Sequence, residues 1–234
     1  MFLLAVLVLH GTLTGCATTA ATDPRDPWES MNRGTQKFND TMDEYLLEPA
    51  ARGYNWIMPS FMNTGVSNFF SNIRDIKVTI NDFLQLKMKQ GTMDAARFVV
   101  NTTAGIAGFI DVGTMIGLPK HNEDFGQTLG YWGVPSGPYL VLPFWGPSSV
   151  RGTTGRVGDA AMNPLTYLFL FSDSAAVSVA SFGAYAIDVV DRRAAVLGFD
   201  KVAEEAALDR YEFFRDSYLQ RREHLINDEE EPEL

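Results

Sequence analysis

The sequence predicts an all-α protein of short, repeatedly broken helices. Three observations carry that expectation: apolar residues recur at helical spacing in several segments, strand-like alternation is scarce, and prolines from Pro49 to Pro164 cut the chain into pieces. Each proline removes a backbone donor and crowds the turn before it.

The chain of 234 residues opens on an apolar run from Phe2 to Leu9, interrupted at His10. That run is too short to cross a hydrocarbon layer, which needs ~20 residues, and it reads as the core of an export signal. The string Leu13-Thr14-Gly15-Cys16 follows and looks like the lipobox of bacterial lipoproteins, in which the thiol is lipidated and the leader cut. Cys16 is the only cysteine, so no intramolecular disulfide can form. The expected organisation is a signal peptide at 1–15, a lipidated cysteine with a flexible tether at 16–26, a helical domain at 27–226 and an acidic disordered tail at 227–234. Ala17 rather than Asp after the cysteine favours the outer membrane over retention in the inner one. A net charge of −10 excludes nucleic acid as a partner and makes any lipid contact mainly apolar.

The domain is expected to start sharply. In Asp26-Pro27-Trp28-Glu29 an N-cap acceptor precedes a proline suited to a first turn, and an acid completes a capping box, so a helix is predicted from Pro27. Phe38, Met42, Tyr45 and Leu46 form one apolar stripe, and Phe61, Met62, Val66, Phe69, Phe70 and Ile73 form a second. Further helices are expected at 78–88, 94–103 and about 201–225, the last carrying Tyr211, Phe214 and Tyr218 on one side. The glycines Gly152, Gly155 and Gly158 suggest a turn preceding a helix; they match neither a dinucleotide nor a phosphate-loop pattern.

Two stretches depart from an ordinary soluble bundle. From Ala160 to Ile187 the only charge is Asp173. As one helix this run would extend about 42 Å, more than the ~30 Å hydrocarbon core. Asn163-Pro164, Gly183 and the charge itself favour two short apolar helices hinged near Ser172-Asp173-Ser174, embedded in a membrane or lining a lipid-accessible space. A charge at membrane depth faces a cavity or a partner, which makes Asp173 a candidate channel or hinge residue; a buried hairpin in a soluble core is the alternative. The second stretch, from Gly126 to Pro147, is rich in glycine and aromatics, and Tyr131, Trp132, Tyr139 and Trp145 suit either a membrane interface or packing under a long loop.

Enzyme signals are thin. His121, beside Lys120, Glu123 and Asp124, has the chemistry of a general base, but no Gly-x-Ser-x-Gly elbow presents a nucleophile. Two mature histidines and a lipidated thiol are a poor donor set for a metal. The expectation is no enzyme, no cofactor and no metal.

Several blocks, in this order, carry a family resemblance: Asp26-Pro27-Trp28-Glu29 with Asn32-Arg33; Phe38-Asn39; Gly65-Val66-Ser67-Asn68-Phe69; Arg97-Phe98 with Asn101-Thr102 and Gly108-Phe109-Ile110-Asp111-Val112; Pro119 to Gly130; and Gly137-Pro138-Tyr139-Leu140-Val141-Leu142-Pro143. Over about residues 24 to 225 the chain resembles the MlaA/VacJ family of outer-membrane lipoproteins. The resemblance implies a ring of short amphipathic helices in the inner leaflet of the outer membrane, around a central amphipathic channel. Phospholipids mislocalised to the outer leaflet would pass through it to a periplasmic phospholipid carrier, with trimeric porin as a further partner and no covalent chemistry. The family often has an Arg-Asp pair where Arg151 is here followed by Gly152, and Asp159 is the nearest acid downstream. Within the first helical segment, where the resemblance is dense, Phe38, Asn39 and Asp40 are candidate gating or structural residues: the polar triplet Asn39-Asp40-Thr41 sits between apolar Phe38 and Met42, as a latch would. The alternative function is a porin-associated structural lipoprotein without lipid cargo.

Overall fold

The computed structural model describes residues 23–198 and 209–228, so Cys16, residues 201–208 of the expected last helix and residues 229–234 of the acidic tail lie outside the described residues. From Glu29 to Ile57 the chain is helical throughout: α1 (Glu29–Met42), a π-helical segment (Asp43–Leu47) and α2 (Glu48–Ile57). Pro49 does not break this path. Its ring clashes with the carbonyl four residues back and it donates no hydrogen bond, and a single wide turn absorbs both.

α1 starts at Glu29 instead of Pro27, with Trp28 at the N-cap position and no side-chain cap. Asp26 is not a cap. It is fully buried, accepting from Asn32 Nδ2 at 2.8 Å and from the Tyr211 hydroxyl. The end of the expected tether is therefore already tied into the fold, where Tyr139 N also donates to Arg25 O at 2.8 Å.

After Met58-Pro59 the two segments expected at 61–73 and 78–88 merge into one 25-residue helix, α3 (Ser60–Leu84). A turn with Leu86 at φ 62° leads into α4 (Met88–Thr103). The single turn α5 (Val112–Met115) and the helix α6 (Phe125–Tyr131) follow, capped by Asp111 and Asp124, whose carboxylates accept from Thr114 N and Gln127 N. The glycine- and aromatic-rich stretch then folds as an antiparallel hairpin that the sequence did not suggest, β1 (Tyr139–Leu142) with β2 (Gly146–Ser149), pairing Tyr139 with Ser149 and Leu142 with Gly146.

Helix α7 (Val150–Met162) contains the glycines expected to form a turn. They are packing residues: a Cβ on Gly155 would lie 2.5 Å from Gly126 N, and one on Gly158 2.3 Å from the Phe125 ring. Glycine there lets α6 and α7 approach backbone to backbone. α8 (Pro164–Phe171) and α9 (Ala175–Ala195) are divided at Ser172-Asp173-Ser174, as the charge-poor run predicts, and α10 (Arg210–Ile226) closes the described chain.

The contacts form a closed circuit. α1 runs through the π segment into α2; α2 meets α9, which meets α8; α8 meets α7, α7 meets β2, and β1 returns to α1. α3 crosses this circuit, touching α9 along one part and α6 and α7 along another, and α4 packs along α3. Ion pairs tie α9 to its neighbours: Arg193 with Asp43 at 2.6 Å, and Asp188 with Arg74 at 2.7 Å. The small apolar core lies where α10 covers the hairpin, with Tyr139, Val141 and Tyr211 buried against Tyr218 and Leu219.

Candidate functional site: a polar interior behind an apolar surface

The burial pattern is inverted. Among the described residues 19 polar or charged residues are buried against seven apolar ones, while 39 large apolar side chains are exposed. A water-soluble domain of this size buries its aliphatic and aromatic residues, and large contiguous apolar surfaces mark contact with protein or membrane. The exposed set includes Trp56 at 87 %, Ile57 and Phe61 at the α2–α3 corner, the whole of Tyr167 to Phe171 in α8, and Phe144 and Trp145 at the hairpin tip. No described helix is long and apolar enough to cross a membrane.

The interior is organised along the buried face of α3. Asn72, Asp75, Asn81 and Asp82 are buried on it, with Gln85 just past its end. Gln85 donates to Glu123 at 2.8 Å, Thr128 Oγ1 donates to Asn81 at 2.8 Å, and Lys120 Nζ lies 2.7 Å from Asp75. Asp82, fully buried, contacts the equally buried Asp94 of α4, and neither Asp82 oxygen has a donor of its own. Burial first, and then Asp94, push the Asp82 carboxyl up to about 8. Asp94 also lies 2.7 Å from His121 Nδ1. Asp124 behaves oppositely: burial favours its neutral form, but the Arg222 guanidinium outweighs this and holds the carboxyl at about 2.

A second polar node secures the loop after α4. Arg97, 1 % exposed, donates through Nη2 to both Asp111 oxygens at 2.9 and 3.0 Å, and through Nη1 to Leu118 O at 2.6 Å. It thereby pins a turn in which Ile106, Ala107 and Gly108 all have positive φ. A β-branched residue at φ 54° is strained, and such a turn persists only where its surroundings over-determine it. Asn68 supplies one more tether, donating to Phe109 O at 3.1 Å.

The third feature is a clamp on the hairpin. Asn32 and Asn39, two helical turns apart on α1, present their amides to the open edge of β1. Asn32 donates to Tyr139 O at 3.1 Å and accepts from Val141 N at 2.9 Å; Asn39 donates to Leu142 O at 2.9 Å and accepts from Phe144 N at 2.7 Å. Each amide replaces a paired strand residue and satisfies backbone groups on the strand edge and at the tip. Phe38 adds an edge-to-face contact with Phe144, 5.3 Å between centroids.

The residues singled out by sequence thus separate. Phe38 and Asn39 converge on the hairpin tip, whereas Asp40 faces α10, with Arg210 at 3.6 Å. Asp173 is exposed in the bend between α8 and α9. Asp159 pairs with Lys77 at 3.1 Å and accepts from Phe125 N at 2.9 Å, so it braces α3 against the start of α6. His121, Lys120, Glu123 and Asp124 are engaged with Asp94, Asp75, Lys87 and Arg222 across helix junctions. Beyond the expected tail boundary, Asp228 pairs with Lys87 at 2.5 Å.

Sequence reasoning missed the Asp82–Asp94 pair, Arg97 and Asn32 as site residues. A signal existed: Asn68, Asn72, Asp75, Asp82 and Gln85 recur at helical spacing, a polar stripe on the helix that also carries the apolar one.

The comparisons agree with this architecture. The family model described as MlaA lipoprotein matches residues 24–225. The chain is 34% identical to the intermembrane phospholipid transport system lipoprotein MlaA of Shigella flexneri, over 96% of this chain and 88% of that protein. The protein of the same description from Escherichia coli (strain K12) is 33% identical, over 96% and 88%. A solved structure reported under "Structural basis for maintenance of bacterial outer membrane lipid asymmetry" superposes with a TM-score of 0.74 at 32% identity, covering 86% of this chain and 99% of that one. With a described body of helices and one small hairpin, and matched by the family model over residues 24–225, the chain belongs to the MlaA lipoprotein family.

Proposed function

We propose that this protein removes phospholipids mislocalised to the outer leaflet of the outer membrane and passes them to a periplasmic phospholipid carrier, so maintaining lipid asymmetry. It acts from the periplasmic-facing leaflet, anchored by acyl chains on Cys16 and adjoining a trimeric porin. The inverted burial is the observation that carries this reading. Apolar side chains directed outward on described helices, none of which is both long and apolar enough to span, suit a body immersed in one leaflet, and a polar interior suits the passage of headgroups. The step is non-covalent.

Outer-leaflet phospholipid in cells lacking the gene, complemented by the intact protein or by Cys16→Ala, tests it. Accumulation reversed only by the intact protein is the expected result. Unchanged phospholipid in the deletion would leave the porin-associated structural lipoprotein as the better account.

The clamp on the hairpin supplies the gate. A channel open to the outer leaflet must stay shut to inner-leaflet lipid, and Asn39 and Phe38 hold the hairpin tip against α1. Asn39→Ala leaves Leu142 O and Phe144 N without these partners, and the expected phenotype is outward leakage, with outer-leaflet phospholipid above that of wild-type cells. Normal outer-leaflet composition in that strain would refute the gate.

A further inference from the structure

We propose that the face built by the turn after α6, the tip of the hairpin and the first two turns of α7 meets the anionic phospholipid headgroups of the surrounding leaflet, with Arg151 and Arg156 holding their phosphates. The proposal rests on the reading of a leaflet-immersed body above, and it concerns the lipids around that body, not those it transports.

From Phe125 to Gly158 the chain has no Asp or Glu, and its only charges are Arg151 and Arg156. In a chain of net charge −10 this is a local reversal of sign. Arg151 donates through Nη1 to Val134 O at 2.7 Å, and Arg156 through Nη2 to Pro147 O at 3.5 Å. Among the described residues neither guanidinium pairs with a carboxylate, whereas Arg33, Arg74, Arg97 and Arg222 each do. Asp124, whose field reaches Arg151, is itself bound to Arg222 at 2.8 Å. Burial first, and then Arg222, lower Arg151 from its ordinary value, as befits a cation whose charge the protein leaves uncompensated. A guanidinium carries five N–H donors in a planar fork, and one carbonyl takes only one of them, so each arginine keeps donors for a phosphate.

The surroundings suit the level of a headgroup. Val134 O ties Arg151 to the turn that carries Tyr131 and Trp132, both exposed and set edge to face at 5.5 Å. Trp132 Nε1 donates to Leu84 O at 3.0 Å, which fixes that ring. Pro147, the partner of Arg156, lies two residues beyond Trp145 at the hairpin tip, where Phe144 and Trp145 are exposed. Val150 and Val157, each next to one of the arginines, are exposed as well. Amphipathic rings settle where acyl chains meet headgroups, and basic side chains beside them are drawn to anionic lipid. Apolar contact alone is indifferent to the headgroup; two uncompensated arginines make it selective. The apolar surface continues past α7 into the exposed run from Tyr167 to Phe171, which favours lipid over an acidic protein surface as the occupant.

Tryptophan quenching tests this. Trp28→Phe with Trp56→Phe leaves Trp132 and Trp145 as reporters on the proposed face. Trp28→Phe with Trp132→Phe and Trp145→Phe leaves Trp56, at the α2–α3 corner, as a reporter elsewhere on the apolar surface. Full-length lipidated protein of either kind is reconstituted in mixed vesicles of phosphatidylcholine and phosphatidylglycerol, with one or the other lipid brominated on its acyl chains, and quenching gives the relative occupancy of the two lipids beside each reporter. Phosphatidylglycerol is expected to be favoured about fivefold at Trp132 and Trp145, the worth of one arginine at an anionic surface, and the preference should fall as salt is raised. Arg151→Gln with Arg156→Gln should bring the ratio close to parity with quenching retained, while Lys37→Gln, which removes an exposed cation from α1, should leave it unchanged. Trp56 should report little preference. Parity at Trp132 and Trp145 with both arginines present, or an equal preference at Trp56, would overturn the assignment. Quenching at Trp56 with none at Trp132 and Trp145 would mark the face as a protein contact and overturn it too, leaving the immersed body intact. No quenching at any tryptophan would sink the leaflet reading itself.

Discussion

Arg97→Met is expected to destabilise the fold by about 3 kcal/mol, the low end of the range for breaking a buried ion pair by removing one partner. The low end applies because Asp111 is partly exposed, 30% of its side chain reaching solvent, and water recovers some of the lost interaction. Arg97 itself is buried, and its guanidinium spans Asp111, Thr114 Oγ1 and Leu118 O, so one side chain holds both ends of the loop that follows α4. Without it the strained turn at 106–108 loses its anchor. Thermal unfolding in detergent, followed by circular dichroism, should show the midpoint lowered by about 6–12 °C for a chain of this size. Arg97→Lys should recover only part of the loss, since an ammonium keeps the charge but not the planar fork. An unchanged midpoint in Arg97→Met would remove this residue from the framework.

The second large effect is a pH dependence centred on Asp82. In the fold its carboxyl is raised to about 8, against an unfolded value of ~4. The folded state therefore binds a proton that the unfolded chain has released, and stability from this site is fully present below about pH 4, declines as pH rises towards 8, and is flat above. The groups facing it are Asp94 from α4, Lys87 at the start of α4 and Glu123 from the loop before α6; His121 bears on it through Asp94, and Arg97 and Asp75 adjoin the same cluster. The expected result is a melting midpoint several degrees lower at pH 8 than at pH 5, with the slope largely abolished in Asp82→Asn, which keeps the shape and removes the ionisation. A wild-type profile flat from pH 5 to pH 8 would count against a raised Asp82 carboxyl.

Much of this architecture was legible before the structure because its causes are local. The division between α8 and α9 follows from one charge flanked by serines in an otherwise uncharged run, and the outward-facing apolar helices follow from their composition. What escaped depends on partners distant in the chain. The capping signature at Asp26 is locally complete, yet Tyr211, 185 residues away, takes the carboxylate. The hairpin was missed because β2 reads Gly-Pro-Ser-Ser, which has no strand propensity; its pairing is fixed by register with β1 and by two asparagines more than 100 residues upstream. The glycines of α7 were read as turn formers because the sequence does not show the neighbouring backbone that makes a side chain impossible. Of the candidate site residues, Phe38 and Asn39 were found by resemblance and the polar triplet. Asp82, Asp94 and Arg97 escaped because a buried polar core contradicts the usual expectation that acids face water.

The outward placement of apolar side chains also bears on how this protein responds to cold. The heat-capacity increment of unfolding arises mainly from apolar surface newly hydrated when a chain opens, typically ~12–15 cal/mol/K per residue in water-soluble domains. A body whose interior is built from amides, carboxylates and guanidiniums has little such surface sealed inside, and hydrating its polar groups lowers the increment further. Its free-energy curve is correspondingly shallow, so helix packing should hold nearly constant over a broad temperature span instead of weakening at low temperature as an oil-like core does.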